Sequence, residues 1–194
     1  MANSNTQGFG LIPVGTLGST PSTQGQGAFK IDAGYSAANI YHGAPVVSAA
    51  GYMTEGTVVT TGVTGNCGVL NGIFYNAATT LKPTWSNGYI ATITPANSED
   101  TTAFVLDNPF QLFEIGTDAA ITQAQHMETF NMNAVSGNTT TEQSTNTIDI
   151  DSTHATNYSW RVVRLAEDPS NSDITAAYCS IIVQSNLNEF LRKT

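Results

Sequence analysis

Apolar residues along this chain come in short runs separated by Gly, Asn, Pro and Thr, a spacing that predicts strands and turns rather than helices. The pattern is clearest from Ala103 to Ile115, where Ala-Phe-Val-Leu and Phe-Gln-Leu-Phe-Glu-Ile flank Asp107-Asn108-Pro109. Asx side chains that bond their own backbone, followed by a proline of fixed φ, make this junction a sharp corner between two strands. Gln111 and Glu114 break strict alternation in the second run. That run is therefore expected to be central and largely covered, with Phe110, Leu112 and Phe113 anchoring the core.

The same reading places strands near residues 28–33, 38–41, 44–48, 51–53, 57–60 and 67–75, with a tight hairpin at Tyr52 to Val59 whose Gly56 takes a positive φ. Residues 79–87 read as a loop, and Gly88 to Thr94 alternates like a half-buried strand. Asp118 to Phe130 is the best helical candidate. Asp118 is placed to N-cap it, and Ile121, Ala124, Met127 and Phe130 recur every three residues. A strand is expected in the second half of 130–135, an exposed Thr/Asn/Ser loop over 137–146, and a short strand at Ile148 to Asp151. Trp160 to Leu165 and Ala176 to Gln184 are the last strong strands, and Leu187 to Leu191 closes with a helical turn. The expected fold is all-β: a β-barrel or β-sandwich forming a single domain over residues 28–194, with at most one short helix.

Residues 1–27 have a different texture. Gly8, Gly10, Pro13, Gly15, Gly18, Pro21, Gly25 and Gly27 are interspersed with Ser, Thr and Gln, a composition that cannot build an amphipathic face. An extended N-terminal arm is expected, ordering against a partner and adding little to domain stability. Its apolar island, Phe9, Leu11, Ile12 and Val14, is the candidate contact with a neighbouring subunit or another partner surface.

Composition narrows the choice of partner. The 194 residues suffice for a core without metal or disulfide staples. Only 11% are charged, roughly half the usual fraction, yet 40% are hydrophobic, with 8 Phe, 7 Tyr and 2 Trp, so the chain is expected to pack. A formal charge of −9 opposes a phosphate backbone, and no nucleic-acid partner is expected. Four of the six basic residues, Arg161, Arg164, Arg192 and Lys193, fall late in the chain and read as ordinary solvated side chains. The first residues carry neither a basic region nor an apolar run, and no run reaches membrane-spanning length. The expectation is a protein made without a secretory signal and with no membrane partner. Cys67 and Cys179 stand in no CxxC pair and are expected to be buried free thiols.

Motif chemistry adds little. Asp149 and Asp151 share a strand face at i and i+2, but no third acidic ligand stands near, so a solvated face is expected. His42, His126 and His154 lie in unrelated contexts without zinc-ligand spacing. No Gly-x-Ser-x-Gly elbow occurs, and Gly8-Phe9-Gly10 lacks the third glycine of a dinucleotide fingerprint. No catalytic, cofactor or metal site is expected. The aromatic residues read as core, with a sugar-stacking platform as the lesser reading.

An ordered series of segments carries a resemblance. Phe29 to Ile40, Gly43-Ala-Pro-Val-Val47, Gly68 to Tyr75, Phe104 to Glu114, Trp160 to Leu165, Glu167 to Asn171 and Ile181 to Asn188 together resemble the small capsid decoration, or cement, proteins of tailed bacteriophages. The chain departs from that pattern at Lys82-Pro83-Thr84-Trp85-Ser86. The resemblance implies a non-enzymatic virion protein, made in the host cytoplasm, that sits on the capsid exterior. There it would tie the major capsid protein lattice together and self-associate as a dimer or trimer. The alternative is a receptor- or glycan-binding β-domain of a phage fibre, which an exposed aromatic cluster with a concave site would favour.

Overall fold

The computed structural model describes residues 3–18, 25–56, 65–133, 137–151 and 158–191. Within them run β1 (Ile12–Thr16), β2 (Gly27–Ile31), β3 (Pro45–Ala49), β4 (Tyr52–Glu55), β5 (Asn66–Asn76), β6 (Pro83–Ser86) and β7 (Thr101–Leu106). There follow β8 (Gln111–Gly116), β9 (Thr129–Met132), β10 (Gly137–Asn138), β11 (Gln143–Ser144), β12 (Ile148–Asp149), β13 (Trp160–Leu165) and β14 (Ser180–Ser185). Helical structure among the described residues amounts to three 3-10 turns, at Ala96–Ser98, Gln123–Gln125 and Glu189–Leu191. The fold is all-β and sandwich-like, built from antiparallel sheets, and among the described residues no barrel closes.

The first sheet orders its strands β1-β8-β14-β13-β9-β12. The second orders β2-β7-β5-β3-β4, with β6 beside β3 on the same edge of the long β5. β10 and β11 form a separate small hairpin. The Asp107-Asn108-Pro109 corner joins β7 to β8 and so carries the chain from one sheet to the other. Asn108 Oδ1 accepts the Phe110 N–H at 3.0 Å, and Gln111 N–H donates to Asn108 O, also at 3.0 Å. Both strands are interior to their sheets, which bears out the central position expected for the second run, but the core anchors need correcting. Phe113 is buried, Leu112 is half-buried and Phe110 is 50% exposed. The strand alternates after all, because the inward Gln111 is satisfied: its Nε2 donates to Gly15 O at 2.7 Å and to Leu112 O at 3.1 Å.

Each sheet packs against its own apolar cluster. Phe113, Ile115, Trp160, Val162, Ile181 and Val183 of the first sheet pack with Leu11, Val69 and Leu106. Phe113 meets Trp160 edge-on, with ring centroids 5.9 Å apart. Ile31, Val46, Leu70, Ile73, Ala103 and Val105 of the second sheet pack under Ile40, Tyr41 and Tyr89. Val69 and Leu106 are register partners that face away from the second cluster and into the first, so the second sheet lends one end of its other face to its neighbour.

The expected N-terminal arm is extended, but residues 3–18 lie on the chain's own domain. β1 pairs with β8, and Leu11, 1% exposed, belongs to the first cluster. Asn3 straps the chain further: its Nδ2 donates to Asp173 O at 3.0 Å and Ala177 O at 2.9 Å, while its Oδ1 accepts the Asp173 N–H at 2.9 Å. The domain therefore begins well before residue 28.

Several local expectations are overturned for identifiable reasons. Asp118 does not cap a helix. Its carboxylate accepts the Ile150 N–H at 2.9 Å and Asn133 Nδ2 at 3.0 Å, which leaves only a 3-10 turn capped by Thr122 and Gln125. Ile121 and Phe130 are buried while Met127 is exposed at φ 68°, so the three-residue spacing never forms one helical face. A strand occupies 129–132, and residues 134 and 135 of the strand expected in the second half of 130–135 lie outside the described residues. The tight hairpin turn is Ala50-Gly51, at φ 51° and 88°, between β3 and β4; positive φ at both central positions fits a type I′ turn. Gly56 instead donates to Pro45 O at 3.1 Å.

Residues 79–87 contain β6, and residues 137–146 contain β10 and β11 with buried Ser144 and Asn146. Gly88 to Thr94 and residues 38–41 share one bridge, Ile40 to Tyr89, rather than strands. The strand expected at 57–60 lies outside the described residues. Cys67 and Cys179 are free and buried, as expected.

Candidate functional site

Two surfaces gather exposed apolar side chains. The first surrounds β1, the outermost strand of its sheet. Ile12 pairs with Glu114, whose side chain points away from the core, and both Ile12 and Val14 are exposed. Leu17 is exposed too; its N–H donates to Phe110 O at 2.9 Å, which sets it beside the exposed Phe110 ring. A trough of about 450 Å³ runs alongside, walled by Val14, Leu17, Leu112, Val163 and Ile182, with Glu114 and Arg164 at its polar side.

Of the four residues singled out in sequence, the structure leaves two on the surface. Ile12 and Val14 are exposed, Leu11 is core, and Phe9 is half-buried with its carbonyl accepting Gln143 Nε2 at 2.9 Å. Pro13 supplies no N–H, and the register shifts between Pro13 and Gly15, which blunts the edge against pairing with a further strand. What this edge offers a partner is therefore side chains rather than a backbone ladder.

The second surface lies on the outer face of the second sheet and was not singled out in the sequence. Phe104 pairs with Gly72, and Phe74 pairs with both Thr102 and Trp85, so Phe74, Trp85 and Phe104 share one face. Phe74 and Trp85 are exposed, and the Trp85 and Phe104 rings lie 5.3 Å apart at 34°. The signal in the sequence was an aromatic at a strand position in each of β5, β6 and β7: Phe74, Trp85 and Phe104. It reads equally well as core until the sheets are placed.

No catalytic constellation stands out. Among the described residues no three His, Cys, Asp or Glu side chains converge to hold a metal ion. His42 Nδ1 lies 3.0 Å from Gln143 Oε1, His126 Nδ1 lies 3.1 Å from Gln123 Nε2, and His154 falls outside the described residues. Burial pushes the Cys67 and Cys179 thiols up, away from the thiolate form a nucleophile needs. Asp149 is half-buried and Asp151 exposed, with no carboxylate cluster around them among the described residues.

No family model, no curated protein and no solved structure matches the chain.

Proposed function

We propose that this chain is a structural binding protein that seats on the exterior of a tailed-phage capsid and cements the major capsid protein lattice. The observation that carries the reading is the exposed apolar strip of Ile12, Val14, Leu17 and Phe110 beside the trough on the first sheet. Such a strip at a blunted edge suits docking by side chains onto a preformed protein surface. The ordered sequence resemblance supports the same partner. So does the charge of −9, which keeps a shell protein off nucleic acid. Self-association through the same edge would tie neighbouring copies together.

The test is to mix purified protein with capsids lacking it and count bound copies by cryo-electron microscopy, alongside an Ile12→Thr/Val14→Thr variant, which keeps β-branched side chains and adds no charge opposite Glu114. Both replaced side chains are exposed, so the variant is expected to melt with the parent while occupancy falls by about tenfold or more. A parent that leaves capsids bare, or a variant that decorates them equally, defeats the proposal.

A further inference from the structure

The two tryptophans of this chain are opposites, Trp160 being 1% exposed and Trp85 49%. A lone exposed aromatic needs no explanation, but Trp85 stands in a stripe with Phe74 and Phe104, and its ring is held. One face of the indole lies so close over Gly72 that a Cβ at that position would overlap it. Nε1 donates to Asn87 Oδ1 at 3.4 Å. The end of β6 is fixed by Glu142, whose carboxylate accepts Ser86 Oγ at 2.7 Å and the Gly88 N–H at 3.0 Å. An aromatic plane oriented before its ligand arrives saves the ordering cost of binding.

The groups around the stripe are mostly neutral. Asn71 Nδ2 donates to Gln26 Oε1 at 2.7 Å, and Lys30 Nζ donates to Thr102 Oγ1 at 3.0 Å. Beyond Phe74 opens a cleft of about 210 Å³ bearing Asn76, Glu99 and Asp100.

The geometry points to a binding site for a neutral oligosaccharide, with one pyranose stacked on Trp85 and the next reaching the cleft beside Phe74. The C–H face of a pyranose packs on the negative face of an indole, while its hydroxyls, donor and acceptor at once, match amides, a threonine and carboxylates. An anionic glycan would meet Glu99, Asp100 and a net charge of −9. A nucleic-acid base could stack equally well, but its backbone needs a cationic groove, and among the described residues the cleft beside Phe74 is lined by a single cation, Lys30, against Glu99 and Asp100. The stripe belongs to the second sheet and the β1 edge to the first, so this site does not rest on the capsid reading.

The full chain is titrated to millimolar concentration with cellohexaose, maltohexaose, mannohexaose and N-acetylchitohexaose while acrylamide quenching of tryptophan fluorescence is followed. Because Trp160 is buried, quenching reports Trp85. At least one sugar is expected to protect it. Trp85→Ala is expected to weaken that binding, read by saturation-transfer NMR, by about tenfold or more with the melting temperature kept, and Trp85→Phe to restore part of it. The site is refuted if no sugar in the set protects Trp85 or if binding survives Trp85→Ala. It is refuted also if Trp85→Ala turns an oligomer into monomers in sedimentation, which would make the stripe a self-contact.

Discussion

Phe110, Leu112 and Phe113 are near neighbours in sequence, and their fates diverge because the strand begins at Gln111. Phe113 points into the cluster beside Trp160, whereas Phe110 sits in the corner before the strand and faces water. Phe113→Ala is expected to cost about 3–5 kcal/mol in urea unfolding, since the buried ring packs edge-on against Trp160 and its loss opens a cavity in the first cluster. Phe110→Ala is expected to change stability by less than about 0.5 kcal/mol. Equal losses for the two would show that the inward face is misassigned. The cysteines give a second check at this scale. With both thiols buried and pushed up in pKa by desolvation, iodoacetamide is expected to label neither in the native protein and both in guanidinium. Rapid native labelling of either one would contradict its burial.

The N-terminal segment shows how an element's role depends on what lies beside it. By composition residues 1–27 cannot form a face of their own, yet β8 offers an unpaired edge and the first cluster offers a slot for Leu11. Burying one leucine contributes about 1.5–3 kcal/mol, and removing Gly15 takes away the better acceptor of the buried Gln111 amide, costing about 1–3 kcal/mol more. A chain starting at Gly27 is therefore expected to lose at least about 3 kcal/mol, roughly 6–12 °C in melting temperature. This reverses the expectation that the arm adds little to stability. A truncated chain that melts with the parent would return residues 1–26 to the status of a tether.

At the scale of the whole molecule, acid is expected to loosen the seam between the chain's beginning and its later loops. Asp168 is held below the ordinary carboxylate range, first by the Ser170 N–H and then by Asn171 Nδ2, and Asn171 Oδ1 in turn accepts the Asn5 N–H at 2.8 Å. Asp173 is held low by the Thr175 hydroxyl and N–H. Both carboxylates have folded-state pKa values below the unfolded value of about 3.9. Their contribution is therefore complete above that pH and is lost as pH falls through the folded values. Amide exchange at Ser4, Asn5 and Ser170 is expected to accelerate, after correction for intrinsic rates, as pH falls below about 4, and Asp168→Asn to remove part of that step. Protection unchanged across the window would separate the strap from these carboxylates.

The sequence by itself determined the fold class, because period-two apolar runs between Gly, Pro and Asx residues have no stable alternative to antiparallel strands. It located the corner at Asp107-Asn108-Pro109, most of the long strands and the two buried thiols, each set by local chemistry. What it left open was which sheet each strand joins, since alternation marks two faces without saying what covers either one. Only the tertiary structure decided that the corner crosses between sheets and that Asp118 spends its carboxylate on Ile150 and Asn133 instead of a helix. Tertiary packing likewise sent Leu11 inward while leaving Ile12 and Val14 on the surface. It also decided that Phe74, Trp85 and Phe104 gather on one face, where Phe74 and Trp85 stay exposed among the described residues. Whether an aromatic side chain is core or platform depends on the neighbouring sheet, which covers Val69 and Leu106 and stops short of Trp85.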